Sequence, residues 1–215
     1  MKLARFCCAF LLAWSAPAMA GQPQTAPAPK ASPPDSSHEL FVVESIRSSM
    51  RFEADGTGAR RIEMRVRVQA EGALQQLGQL VLNYNSDFER LTFTGRLRKP
   101  DGSAIEIPGS AIQDMSSPVS RFAPLYSDIR QKHVIVPGLR PGLTLEYEIQ
   151  VEQFVAVSPG HFWTTYDFEQ DDIVENEELS IDVPITKYVN VKSLPKFPPL
   201  VEEKDGRRVY RWRTS

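Results

Sequence analysis

Between residues 143 and 152 the chain alternates without a fault. Leu143, Leu145, Tyr147, Ile149 and Val151 oppose Thr144, Glu146, Glu148, Gln150 and Glu152. A helix would scatter these apolar side chains around its axis, whereas a strand puts them all on one face. The pattern returns at 61–68, where Ile62, Met64, Val66 and Val68 oppose Arg61, Glu63, Arg65 and Arg67. It returns again at 91–98, with Leu91, Phe93 and Leu97 against Thr92, Thr94, Arg96 and Arg98. Strands with one wet face belong to antiparallel sheets. Met64, Val66, Phe93, Leu145, Tyr147 and Ile149 are the expected inward residues.

Turn chemistry agrees with this pattern. Asp55-Gly56, Pro100-Asp101-Gly102 and Lys204-Asp205-Gly206 each separate two strand-like runs, and Pro137-Gly138 and Pro141-Gly142 bracket a short link. Glycine supplies the positive φ of tight turns, and Asp tolerates or caps them. Shorter strands are predicted at 39–46, 79–84, 131–136, 162–168, 178–183, 188–193 and 207–213, and a helical turn only around Ala73 to Leu77. The expected fold is all-β, an antiparallel two-layer sandwich-like domain over residues 38–215.

Two segments precede that domain. Residues 1–20 read as a signal peptide: Lys2 and Arg5 give a basic start, Phe6 to Trp14 an apolar run, and Ala18-Met19-Ala20 a small-residue cleavage site. Residues 21–37 hold five prolines and almost nothing that could be buried, the composition of a disordered, hydrated linker. No other apolar run approaches the roughly 18–20 residues of a membrane span. The expected product is exported, periplasmic or extracellular, with no transmembrane segment.

Composition removes several function classes. The two cysteines, Cys7 and Cys8, lie within the signal segment, so the processed chain would have no thiol for catalysis or metal binding. A chain with 25 basic and 27 acidic residues lacks the positive field that attracts phosphate backbones, and nucleic acid is set aside as a partner. His38-Glu39 supplies only half of a zinc-protease motif, and His133 and His161 have no second histidine at ligand spacing. No Gly-x-Ser-x-Gly elbow occurs. The acidic run Glu169, Asp171, Asp172, Glu175, Glu177 and Glu178 invites a calcium reading, but alternation sends Glu175 and Glu177 away from Glu178. Catalytic, cofactor-binding and metal-binding residues are therefore expected to be none, and the chain is expected not to be an enzyme.

Aromatic residues offer an alternative. Phe162, Tyr166 and Phe168 share one predicted face, as do Tyr210 and Trp212, and Trp163 falls on the other side. Period-two aromatics are the inward face of a sandwich, leaving Trp163 as the expected exposed ring. A carbohydrate- or glycan-binding module would use Trp163 or the Tyr210/Trp212 face.

The series Arg98-Lys99-Pro100-Asp101-Gly102, Tyr126-Ser127-Asp128-Ile129-Arg130, Val134-Ile135-Val136-Pro137-Gly138-Leu139 and Gly142-Leu143-Thr144-Leu145-Glu146-Tyr147 resembles domain-of-unknown-function family 3857. The resemblance covers roughly residues 39–213. It implies a secreted bacterial β domain of the kind that commonly precedes a transglutaminase-like domain, similar in fold to the N-terminal β domain of some metallopeptidases. The implied role is non-catalytic: positioning or contacting a partner, by family context a transglutaminase-like or protease-like domain. It also raises the expectation of a truncated N-terminal part of such a protein. Mixed charges at Arg61, Arg65 and Arg67 and at Glu146, Glu148 and Glu152 are the expected contact face, if they do more than solvate the sheet.

Overall fold

A computed structural model describes residues 36–123, 125 and 128–214, without the side chain of Arg121. The signal peptide expected at 1–20 and all but the last two residues of the linker expected at 21–37 lie outside the described residues. Eleven strands follow in order: β1 (Phe41–Phe52), β2 (Gly58–Val68), β3 (Gln79–Asn85), β4 (Glu89–Arg98), β5 (Ala104–Glu106) and β6 (Ile112–Ser116). The rest are β7 (Ile129–Ile135), β8 (Thr144–Gln153), β9 (Glu177–Pro184), β10 (Leu200–Lys204) and β11 (Arg207–Thr214). The helical turn expected near Ala73 is there, as a 3-10 turn at Glu71–Ala73 running into α1 (Leu74–Leu77), and a second short helix is α2 (Val119–Phe122). The fold is all-β.

The strands form two sheets. The larger has eight in the order β10-β11-β9-β1-β2-β8-β4-β5, and the smaller has three in the order β3-β7-β6. Neighbours pair antiparallel except β1 and β9, which run parallel, with Ile46 opposite Glu177 and Arg51 opposite Asp182. Alternation turns directly into core. Val43, Val66, Leu145 and Leu97 stand opposite one another across β1, β2, β8 and β4, and none is more than 1% exposed. Phe93 is buried too, while Met64, Tyr147 and Ile149 are only half-buried, one or two rows further along the same face. Burying a Leu or Phe is worth about 1.5–3 kcal/mol, so this short row anchors the four central strands.

A second apolar cluster gathers Met50, Phe52, Leu179, Val183, Tyr210 and Trp212. Its cover is extended chain. Phe162, Tyr166 and Phe168 pack on it, and so do Val189, Val191 and Phe197. The strands expected at 162–168 and 188–193 are corrected here: both segments lie across the sheet without joining its ladder. Their alternation reflects one buried side against apolar residues, which a laid-over chain needs as much as a strand does.

Two turns show why glycine stands where it does. In the β1–β2 hairpin Gly56 has φ +95°, and a Cβ there would lie 2.6 Å from the His161 carbonyl oxygen. In the β10–β11 hairpin Asp205 (φ 51°) and Gly206 (φ 74°) are both left-handed, as the two-residue turn between Lys204 and Arg207 requires.

Candidate docking surface

Register divides the large sheet into an apolar inner face and an outer face paved with ions. On the outer face Arg65 of β2, Glu146 of β8, Arg96 of β4 and Glu106 of β5 stand in one row. Glu146 is held by three arginines: Arg98 Nε at 2.7 Å, Arg96 Nε at 2.6 Å and Arg65 at 3.3 Å. Hydrogen bonds from Arg98 and then Arg96 outweigh burial and bring the Glu146 carboxyl down to about 2. One row over, Arg61 bonds Glu148 at 2.6 Å and Glu63 at 2.8 Å. A bulge between Val43 and Ser45 turns Glu44 out to accept from Arg65 at 2.5 Å and Arg67 at 3.1 Å.

These strands enclose an open trough of about 540 Å³ along Arg47, Glu63, Arg65, Arg96, Glu146 and Glu148. Of the expected contact charges, Arg65, Glu146 and Glu148 line this trough, whereas Arg61, Arg67 and Glu152 lie elsewhere along the same strands; each is already paired within the chain, Glu152 through Arg90 at 2.9 Å. Exposed pairs of this kind contribute about 0–1 kcal/mol each. Most of the trough's charge is mutually neutralised, and Arg47 and Glu106 are the lining charges that form no ion pair among the described residues.

The small sheet has two unlike faces. On one, Asp114 accepts from Tyr84 at 2.7 Å, Arg130 at 2.9 Å and Lys132 at 2.8 Å. Burial opposes ionisation of Asp114, yet these bonds hold its carboxyl below the ordinary value. Val134, completely buried, lies on this face. On the other face a ladder of neutral groups crosses the strands. Gln79 Nε2 meets His133 Nδ1 at 2.9 Å, His133 Nε2 meets Gln131 Oε1 at 3.1 Å, and Gln131 Nε2 donates to Asn83 Oδ1 at 2.9 Å. Val81, Ile135 and Met115 stand on that same face, 45, 44 and 39% exposed.

The remaining sequence candidates disperse. Cys7 and Cys8 lie outside the described residues. His38 is exposed near the start of the described chain, His133 sits in the ladder, and His161 Nδ1 contacts the Pro159 carbonyl. Among the described residues no three His, Asp or Glu side chains converge on a point suited to a metal ion. Glu169 of the acidic run caps a turn, accepting from the backbone N–H of Gln170 and Asp171. Tyr210 and Trp212 are buried (8 and 7% exposed), which closes the proposed aromatic platform there, whereas Trp163 is 66% exposed.

Sequence reasoning missed a buried polar cluster. Glu177, 2% exposed, accepts from the Tyr166 hydroxyl at 2.7 Å and from the Glu169 backbone N–H at 3.0 Å. The Tyr166 proton is used there, so Ser48 donates to the Tyr166 oxygen at 3.1 Å. Burial, with the bond to Glu177, pushes the Tyr166 hydroxyl up to about 12. The cluster pins the laid-over chain to β1 and β9. Only the alternation that turns Glu177 inward signalled it.

Comparison with solved structures places this architecture among known folds. The chain superposes on a Parabacteroides distasonis protein, provisionally described as a protease, with TM-score 0.70 and 21% identity. The match covers 81% of this chain and 35% of that one. An M1 zinc metallopeptidase from Deinococcus radiodurans gives TM-score 0.43 and 12% identity, over 81% of this chain and 39% of that one. This chain thus spans little more than a third of either. No curated protein matches it. The strands from β2 to β11 fall within residues 54–215, which match a domain of unknown function with a solved structure, and the chain belongs to that family, DUF3857.

Proposed function

We propose that this chain is an exported, non-catalytic β domain that contacts or positions a partner domain of transglutaminase-like or protease-like type. The observation that carries the reading is one of proportion. The same fold forms 35% of a larger chain provisionally described as a protease, so there it is one part among others. The chemistry found here fits a scaffold. The trough is open, most of its charges are spent on one another, and Glu177 and Tyr166 serve to fasten chain to sheet.

The test is direct binding between the purified chain and a transglutaminase-like domain from the same organism. Saturable binding in the micromolar range or tighter supports the reading, and no binding at the highest soluble concentration removes it. Peptidase or transamidase turnover that survives repurification would overturn the non-catalytic part. Intact mass of the exported product, beginning at Gly21, tests export. The alternative of a glycan-binding module keeps one observation, the exposed Trp163 ring, and a glycan array with Trp163→Ala as control decides it.

A further inference from the structure

We propose that the uncharged outer face of the three-stranded sheet is where this domain meets its partner protein, and that the partner presents a neutral surface there, apolar side chains interspersed with amides or hydroxyls. The inference rests on the docking reading above and names the surface it uses.

Register puts ten side chains on this face, from Gln79 to Asn85 on β3, Ile129 to Ile135 on β7, and Gln113 and Met115 on β6. None is Asp, Glu, Lys or Arg, in a chain that is 24% charged. The opposite face of the same three strands carries Asp114, Arg130 and Lys132, so the lack of charge belongs to the face and not to the strands. Solvent-facing sheet positions ordinarily gain solubility from charge, whereas the centre of a protein interface is depleted of it.

The hydrogen-bond ladder strengthens the case. It holds Gln79, His133, Gln131 and Asn83 in one arrangement, so little side-chain freedom is left to lose on binding. The Gln79 amide donates to Nδ1, which leaves the imidazole proton on Nε2, facing Gln131. At the two ends the Gln79 carbonyl oxygen and the Asn83 amide protons remain to be offered outward, beside the amide of Gln113. Between them Val81, Ile135 and Met115 supply apolar area.

This chemistry selects the occupant. A charged partner surface would be desolvated with no counter-charge to meet it. A lipid surface would strand the free amides. A sugar would find no Phe, Tyr or Trp among the ten positions on which to stack. A neutral protein surface satisfies both the amides and the apolar groups. Three strands of this length present roughly 15 by 20 Å. That is less than the roughly 800 Å² per partner of a standard interface, so the face forms its centre and neighbouring loops its rim.

The experiment measures binding of the purified full chain to the same-organism transglutaminase-like domain. Ile135→Asp and Val81→Asp should each weaken binding about tenfold or more, with melting temperatures close to the parent's. Arg65→Glu and Glu148→Arg, on the charged trough, should leave it within about threefold. Should an Asp variant fail to fold, the unaltered chain provides a second readout: peroxide oxidation of Met115 should slow several-fold in the complex. Unchanged binding by the Asp variants, or an unprotected Met115, overturns the assignment and leaves the docking reading intact. Absence of any binding by the unaltered chain overturns both. Self-association that Ile135→Asp abolishes, with no effect on the heterologous complex, would replace the partner by a second copy.

Discussion

The outer faces of the two sheets are both wet, and they are built on opposite plans. Across β2, β8 and β4 most outward positions are ionic, and each carboxylate has its guanidinium, with Glu146 holding three. Across β3, β7 and β6 the outward positions are amides, an imidazole and aliphatic groups, joined by a ladder that uses up most of its own hydrogen-bonding capacity. The difference teaches where charge is a poor guide. A surface dense in charge looks made for contact, yet stripping water from paired ions gains little, since their attraction is already collected. A surface that offers half-exposed apolar groups among fixed amides gives up its water more readily.

The largest effects should come from the layer beneath the charged face. Leu145→Ala opens a cavity in the Val43–Val66–Leu145–Leu97 row and should cost about 2–5 kcal/mol. Val134→Ala beneath the neutral face removes less volume and should cost about 1–3 kcal/mol. Urea denaturation followed by tryptophan fluorescence and far-ultraviolet dichroism measures both. If the two probes separate in either variant, the sheets are independently stable and the contrast between their faces is a contrast between two folding units.

Next comes Glu146. Its carboxyl lies at about 2 in the folded chain against an ordinary 4.5, so its contribution is present above pH 4.5 and is lost as the pH falls towards 2. That contribution is of the order of 3 kcal/mol at most, less whatever solvent screening removes from the half-exposed arginines. Glu146→Gln should destabilise at neutral pH and show a flatter acid limb than the parent. An acid limb of equal steepness would mean that the arginines disperse in solution. Tyr166→Phe tests the buried counterpart of these surface pairs: it deprives Glu177 and Ser48 of a partner and should cost about 1–3 kcal/mol. Smallest of all should be Arg90→Ala, whose pair with Glu152 is well exposed, at about 0–1 kcal/mol.

How far these features could be read from sequence depended on what each strand buries. The strands β2, β4 and β8 have one inward face over their whole length, and their alternation placed them within a few residues. By contrast β5, β6 and β10 escaped notice. Every residue of β5 and of β10 is exposed, and β6 is exposed at all but Ile112, so nothing there alternates. Residues 162–168 misled in the opposite sense, because chain laid across a sheet has the same one-sided burial. The charges of the outer face were visible as a string of Arg and Glu, but their partners were not. Arg61 meets Glu148 across 87 residues of chain, and only register makes them neighbours. The neutral face was hidden for the same reason, since Val81, Met115 and Ile135 come from three separate segments and no one of them is unusual.

The parallel pairing of β1 with β9 carries a consequence for the order of assembly. Ile46 waits for Glu177, and the sheet between them cannot close until most of the chain has emerged. Loop closure over that distance is slow compared with hairpin formation, so β1 and β2 should pair early and the β9–β11 end should dock late. Until it does, one flank of β1 is an open edge bearing Ile46, Met50 and Phe52, the kind of template on which a second unfinished chain can pair. Because β1 is the first strand to be translated and the last to be completed, the hazardous interval is set by the time taken to synthesise the rest of the chain, and a holding chaperone would find its target on that flank.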